Sequence, residues 1–284
     1  MRKRLAPYLL VMPGGLWLAI FFLVPMLAMV SVSLQTGSLE TGFRQSLEWR
    51  NYTDMITQYH TQLVRSMVYG LVTTVITILL AYPMAYWIAF RGGRHKSTYL
   101  FLILLPFFVT FVIRTISWQF LLADNGVLLG NLKDWGLLPE TFHVLATPYS
   151  VVGGLVYNFL PFMVLPIYVA LERIDPSLLE AASDLFANRR ETFLRVVLPL
   201  SLPGVFAGVI LTFVPAASDY VNAQILGGTG QVMIGNIIET LYLTNSEYPQ
   251  ASALSSILLA ALLIGIFAYA KALGTRDVMD VSAA

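Results

Sequence analysis

Along this chain, long apolar runs alternate with short polar stretches, and six of the runs are long enough to matter. A hydrocarbon core of about 30 Å takes roughly 20 apolar residues in a helix. Residues 8–34, 66–90, 99–122, 149–171, 196–218 and 251–273 meet that length. The pattern predicts an all-α membrane protein, a single domain over residues 1–284 with six transmembrane helices. The first run follows Arg2-Lys3-Arg4, is long for a signal peptide and lacks a small-x-small cleavage site, so it is expected to stay as a helix. Pro161 and Pro166 in the fourth run, and Pro203 with Gly204 in the fifth, mark expected kinks or breaks.

Residues 172–195 break the pattern: they place Glu180, Asp184, Arg189, Arg190, Glu191 and Arg195 between two spans. Asp175-Pro176 is a helix start, an N-cap acceptor followed by proline at the first helical position. Ile174 can staple onto Leu179 across it. Leu178, Leu179, Ala182, Leu185 and Phe186 then share one helical face, while Glu180, Ser183, Asp184 and Asn188 lie mostly off it. Ala181 and Ala182 keep the surface thin for a close approach. Arg189 and Arg190 are expected at the C-terminal end of this helix, where cations favour its dipole. Two readings are open: a helix in the lipid headgroups, or a docking element for a protein partner. The acids mixed among the bases favour the protein partner, because anionic lipid would repel them.

Composition narrows the chemistry. The chain is 57% hydrophobic and 12% charged with a mean hydropathy of +0.72, where a soluble domain is about a quarter charged. Having no cysteine, it has no disulfide, thiolate metal site or cysteine nucleophile. His60, His95 and His143 lack ligand-like spacing, and no phosphate loop, serine-hydrolase or zinc-protease motif is present. Gly227-Gly228-Thr229-Gly230 reads as a turn. No metal, cofactor or catalytic residue is therefore expected on this chain, and a net charge of +1 gives no sign of nucleic acid.

Charge sets the orientation. One side holds Arg2, Lys3, Arg4, Arg91, Arg94, Lys96, Arg173, Arg189, Arg190, Arg195, Lys271 and Arg276; the other holds Arg44, Arg50, Arg65 and Lys133. Twelve against four places both termini in the cytoplasm and makes residues 172–195 a cytoplasmic loop.

That loop resembles the EAA loop of ABC-importer permeases. The family pattern is E-A-A, three residues, G, nine residues, I, one residue, L-P. Here Glu180-Ala181-Ala182, Phe186, Val196 and Leu198-Pro199 occupy those slots, so the glycine slot holds phenylalanine. LPFFVTFVIRTISW, LVYNFLPFMVLPIY and LGGTGQVMIGNII look like the spermidine/putrescine branch of the family. The resemblance implies a type I importer permease fold in a bacterial inner membrane. It also implies two cytoplasmic ATP-binding subunits carrying ATP and magnesium, a second permease favoured to be a paralogue, and an extracytoplasmic substrate-binding protein. Glu180 would be the charged anchor for an ATPase, with Leu179, Ala182 and Phe186 the apolar contact. Phenylalanine at positive φ is strained, so the helix is expected to run through Phe186, burying the ring in the partner, with Asn188 making the turn.

Within the membrane, Arg114 reads either as a side chain snorkelling to the outer surface or as a gate or structural residue. A cation would repel a polyamine, so substrate contact is not expected of it. Asp219, with Tyr220 beside it, is the first candidate to meet an ammonium ligand, through charge and cation–π contact; an ordinary interfacial acid is the alternative. Trp118, Tyr157 and Asn158 are further candidates. Other readings stay open: the same machine for an amino-acid derivative, a phosphonate or ferric iron; an ion-coupled secondary transporter or channel; a membrane enzyme. No central Asp, Glu or His relay supports the transporter, and no nucleophile–base pair supports the enzyme.

Overall fold

The structure, a computed structural model, describes residues 11–272. Arg2, Lys3, Arg4, Arg276 and the outermost residues of the first and last expected spans lie outside the described residues. The long membrane helices are α1 (Val11–Ser33), α2 (Arg50–Arg91), α6 (Pro148–Glu172), α8 (Arg189–Ala217) and α11 (Tyr248–Ala272), all long and apolar enough to cross a bilayer. Between α2 and α6 run α3 (Lys96–Leu104), α4 (Phe111–Leu122) and α5 (Leu129–Asp134). Between α6 and α8 lies α7 (Pro176–Asp184), and after α8 come α9 (Val221–Leu226) and α10 (Ile234–Glu239). The expected third span, 99–122, is not one straight helix. The segments Gly93–Phe108 and Phe111–Leu122 meet at a bend of 89°, and counting this bent pair as one span gives six. Pro106 begins the break, because it lacks an N–H for the helix ladder, and Val109 and Thr110 follow in extended conformation.

Residues 11–61 and 237–261 make one compact unit, residues 62–236 and 262–272 the other. In the first, α1 ends at a small two-stranded hairpin, β1 (Gln35–Thr36) with β2 (Arg44–Gln45), paired Gln35 to Gln45 and Thr36 to Arg44. Asn51 Nδ2 donates to the carbonyls of Ser33 and Gln35, both at 2.9 Å, and so closes the end of α1. The helix α2 starts sixteen residues before the apolar run, with a non-helical residue at Tyr59.

The second unit is built on α6 packed against α8. A stripe at four-residue spacing on α8, comprising Gly204, Gly208, Thr212 and Ala216, is fully buried. A Cβ on Gly204 would come within 2.5 Å of both Ala170 Cβ and the Pro166 carbonyl, and one on Gly208 within 2.6 Å of Met163 Sδ. Small residues let the two backbones approach, which is how helices gain dispersion contact where no hydrophobic effect drives them together. Helix α6 runs unbroken through Pro161 and Pro166, and α8 through Pro203 and Pro215. The breaks expected at Pro161, Pro166 and Pro203 are absent among the described residues. Gly204 is a close-packing point, and the break in this unit falls after Pro106.

Candidate functional site

The segment 172–195 folds as a helix, a tight corner and a second helix start. Asp175 Oδ1 accepts the Ser177 N–H at 2.9 Å, and Pro176 occupies the first helical position. These hydrogen bonds, chiefly from the Ser177 backbone, hold the Asp175 carboxyl below the usual range. The helix stops at Asp184, two residues short of Phe186. Phe186 itself adopts φ +57°. Its N–H donates to the Ser183 carbonyl at 2.9 Å, and the Ala187 N–H to the Ala182 carbonyl at 3.0 Å. Those two bonds form a Schellman stop with phenylalanine where glycine usually sits. The expectation that the helix runs on through Phe186 is therefore overturned. The orphan carbonyls of the last turn find donors only if the chain reverses here, and that outweighs the strain of a side chain in the left-handed region.

Asn188 does not make the turn either. It caps the next helix: its Oδ1 accepts the N–H groups of Arg190 at 3.1 Å and Glu191 at 3.0 Å, and Glu191 Oε2 accepts the Asn188 N–H at 3.0 Å. Arg189 and Arg190 consequently start α8 rather than ending α7. The helix-dipole reason for them is reversed, since cations at an N-terminus are disfavoured. Both stay exposed, free for an acidic partner.

The apolar stripe of α7 divides in two. Leu179 packs against the core cluster to which α2, α6 and α8 contribute, Leu171, Ile174 and Val197 among its members, and Ala182 is buried. Leu179 is half-buried and Ala182, though buried, borders the hollow beside the corner, so the expectation that they form the main apolar contact is revised: both chiefly fix the helix to its own chain. Leu178 remains exposed, Leu185 is 81% exposed and Phe186 95% exposed. With Ala181, Glu191 and Arg195 these residues line a cavity of about 510 Å³ in the crook of the corner. Glu180 and Asp184 are exposed. Behind the corner, Phe193 stands edge-on to Tyr82 and Tyr86 of α2, with centroids 5.7 and 6.0 Å away. Tyr82 in turn meets Ser201 Oγ at 2.7 Å. Phe193 and Leu179 thus tie the corner to the core that α2, α6 and α8 share.

The residues expected along the pathway separate into buried and accessible groups. Arg114 is 8% exposed, so it does not snorkel; its guanidinium sits over the Phe107 ring at 4.5 Å, with the Phe111 ring 5.7 Å away. Asn158 Nδ2 donates to Asn222 Oδ1 at 3.1 Å and to Thr115 Oγ1 at 3.3 Å. Asn222 returns its N–H to Asp219 Oδ1 at 2.7 Å and its Nδ2 to Asp219 Oδ2 at 3.2 Å. Asp219 and Asn158 are thereby committed to a buried network tying α4, α6 and α9. Gln119 Nε2 adds a bond to the Ile225 carbonyl at 3.2 Å. Trp118 and Tyr157 are half-buried and edge-on to each other at 5.4 Å, and Tyr220 is exposed. Sequence reasoning missed Thr115 and Asn222; the signal was a polar residue recurring in otherwise apolar surroundings beside Arg114 and Asp219.

The chain is thus a multi-pass helical protein whose third span is bent and whose charged, exposed helix-turn lies between the fourth and fifth spans. In structure it resembles a chain of a bacterial ABC transporter that imports the acidic polysaccharide alginate. The TM-score is 0.69 at 18% identity, covering 97% of this chain and 96% of that one. A chain of the MetNI methionine ABC transporter matches at TM-score 0.56 and 17% identity, over 80% of this chain and 98% of that one.

The sequence carries the assignment further. The model of the binding-protein-dependent transport system inner membrane component matches residues 64–274, and the chain belongs to that family. It is 36% identical over 257 residues to the spermidine/putrescine transport system permease protein PotB of Haemophilus influenzae, covering 90% of each chain. To PotB of Escherichia coli K12 it is 32% identical, over 90% of this chain and 94% of that one. The inner membrane ABC transporter permease protein YdcU of E. coli K12 is 34% identical over 76% and 72%. The chain is the transmembrane permease subunit of an ABC importer.

Proposed function

We propose that this subunit carries polyamines such as spermidine and putrescine into the cytoplasm of a bacterial cell, spanning the inner membrane with both termini inside. The similarity to PotB over nine-tenths of both chains supports the substrate class. Tyr220 and the Trp118–Tyr157 pair offer the aromatic faces that an ammonium group favours. Asp219 and Asn158 act behind them, holding α4, α6 and α9 in register.

The fuel comes from outside the chain. Two cytoplasmic ATP-binding subunits, carrying ATP and magnesium, dock on residues 172–195; a paralogous second permease completes the pathway, and an extracytoplasmic binding protein delivers the substrate. No catalysis and no nucleic-acid binding are assigned to this subunit. One observation carries the coupling role: Leu185 and Phe186 stand exposed on a corner whose inner face is locked into the core through Leu179 and Ala182. Leu178, Ala181, Arg189 and Arg190 surround the apolar tip, and Glu180 and Asp184 supply acids for a basic partner. When the ATPases close, the corner moves with them, and its rigid attachment turns α6 and α8, alternating the access of the pathway. Uptake of labelled spermidine by the reconstituted complex tests the substrate; uptake of another solute in its place, with none of polyamine, refutes it.

A further inference from the structure

A second surface of the molecule has no role in this scheme. Between the end of α2 and the start of α3 runs an apolar groove of about 480 Å³, lined by Pro83, Met84, Trp87, Ile88, Tyr99, Leu102 and Ile103. Ile88 is buried at its floor, whereas Pro83, Met84, Trp87 and Leu102 are exposed along its rim. From Pro83 to Arg91 the groove wall rises about 12 Å, eight residues of helix. Trp87 and Tyr99 close one end, edge-on at 5.0 Å, and carry polar tips suited to the level of the headgroups.

Beyond this aromatic end the charge is one-sided. Arg91 lies one helical turn past Trp87 on the same face, and His95 touches Tyr99, with centroids 6.4 Å apart. Arg94 sits between them in the turn that Gly93, at φ +51°, makes possible. The nearby acid Glu172 is taken by Lys96 at 2.9 Å. Among the described residues, no carboxylate lies within ion-pair reach of Arg91 or Arg94. An apolar slot about 12 Å long, most of one leaflet of a ~30 Å hydrocarbon core, with two guanidiniums in the turn just past its aromatic end and no carboxylate paired to them, matches one amphiphile: a fatty chain with an anionic head.

We propose that this groove is a binding site for an anionic phospholipid, with one acyl chain along Pro83–Ile103 and the phosphate on Arg91 and Arg94. A zwitterionic lipid would fill the slot without satisfying the charge, and a helix of the second permease would need acids at the cationic end.

The test uses the assembled transporter, stripped of loose lipid and offered phosphatidylglycerol and phosphatidylcholine of identical chains, with retained lipid counted by native mass spectrometry. Phosphatidylglycerol is expected to be kept over phosphatidylcholine by between about fivefold and thirtyfold, given the attraction of each basic residue for an anionic surface. The Arg91→Gln/Arg94→Gln double variant should erase that preference, and Trp87→Ala should reduce retention of both lipids. Equal retention by the unaltered complex, or a preference that survives the double variant, overturns the proposal. Because the chain has no cysteine, a photo-crosslinker on Leu102→Cys gives an independent readout. It should mark lipid, and an adduct with the second permease overturns the site.

Discussion

Replacing Phe186 with glycine separates what the corner costs the permease from what it gives a partner. In the free subunit the ring is 95% exposed, so removing it forfeits almost no packing. The backbone at φ +57° is strained for any side chain by about 1–2 kcal/mol. Glycine relieves that strain and loses about 0.5–1 kcal/mol through greater freedom in the unfolded chain. The net effect on the isolated permease is therefore between about zero and 1.5 kcal/mol of stabilisation. In the complex the balance is different. Burying an aromatic ring of this size is worth roughly 1.5–3 kcal/mol, so its loss should weaken ATPase binding about 12- to 140-fold. Phe186→Ala loses the same ring and keeps the strain, so it should bind equally weakly and unfold more easily than the glycine variant. Thermal unfolding of the solubilised permease and titration of the ATPase onto it in nanodiscs measure the two quantities. ATPase affinity unchanged in Phe186→Gly would refute the reasoning, as would an alanine variant more stable than the glycine one.

Glu180→Lys should leave the protein inserted and folded, since this exposed side chain holds nothing in its own chain, yet abolish co-purification of the ATPase and uptake; uptake at the unaltered level would contradict the docking role. Gly204→Ala should destabilise the α6–α8 pair by about 1–3 kcal/mol, read as a lower midpoint of unfolding, because backbone at Pro166 blocks the new methyl. Asp219→Asn should leave polyamine affinity unchanged while loosening α9, read as faster amide exchange at Asn222; a large loss of affinity would return Asp219 to the pathway. Outside the membrane, hydrogen bonds from Lys133 at 2.8 Å and then His143 at 2.8 Å hold the Asp124 carboxyl below the usual range. A depressed carboxyl stabilises the fold above its unfolded value and loses that contribution as pH falls through the lowered one. Amide exchange in residues 124–143 should therefore stay slow at neutral pH and quicken only in strong acid, and Asp124→Asn should quicken it at neutral pH.

The sequence alone determined the class of this protein. Runs of apolar residues long enough for a bilayer leave few alternatives to helices, because backbone groups in lipid must be paired within the segment. Asp175-Pro176 likewise announced its helix start, since the cap and the proline act within one turn. What lay beyond local range needed the tertiary structure. Phe186 was misjudged because its strain was visible locally, whereas the bonds from Phe186 and Ala187 that enforce the corner depend on where the helix ends. Leu178 and Leu179 look alike in the sequence, yet only packing against the core shared by α2, α6 and α8 decides which is spent inside the chain. Asp219 reads as a free acid until Asn222, brought to it by the turn into α9, takes both its oxygens. Apolar length is a property of neighbours along the chain; the use to which a polar or exposed side chain is put depends on neighbours across it, and those exist only once α4, α6, α8 and α9 have met.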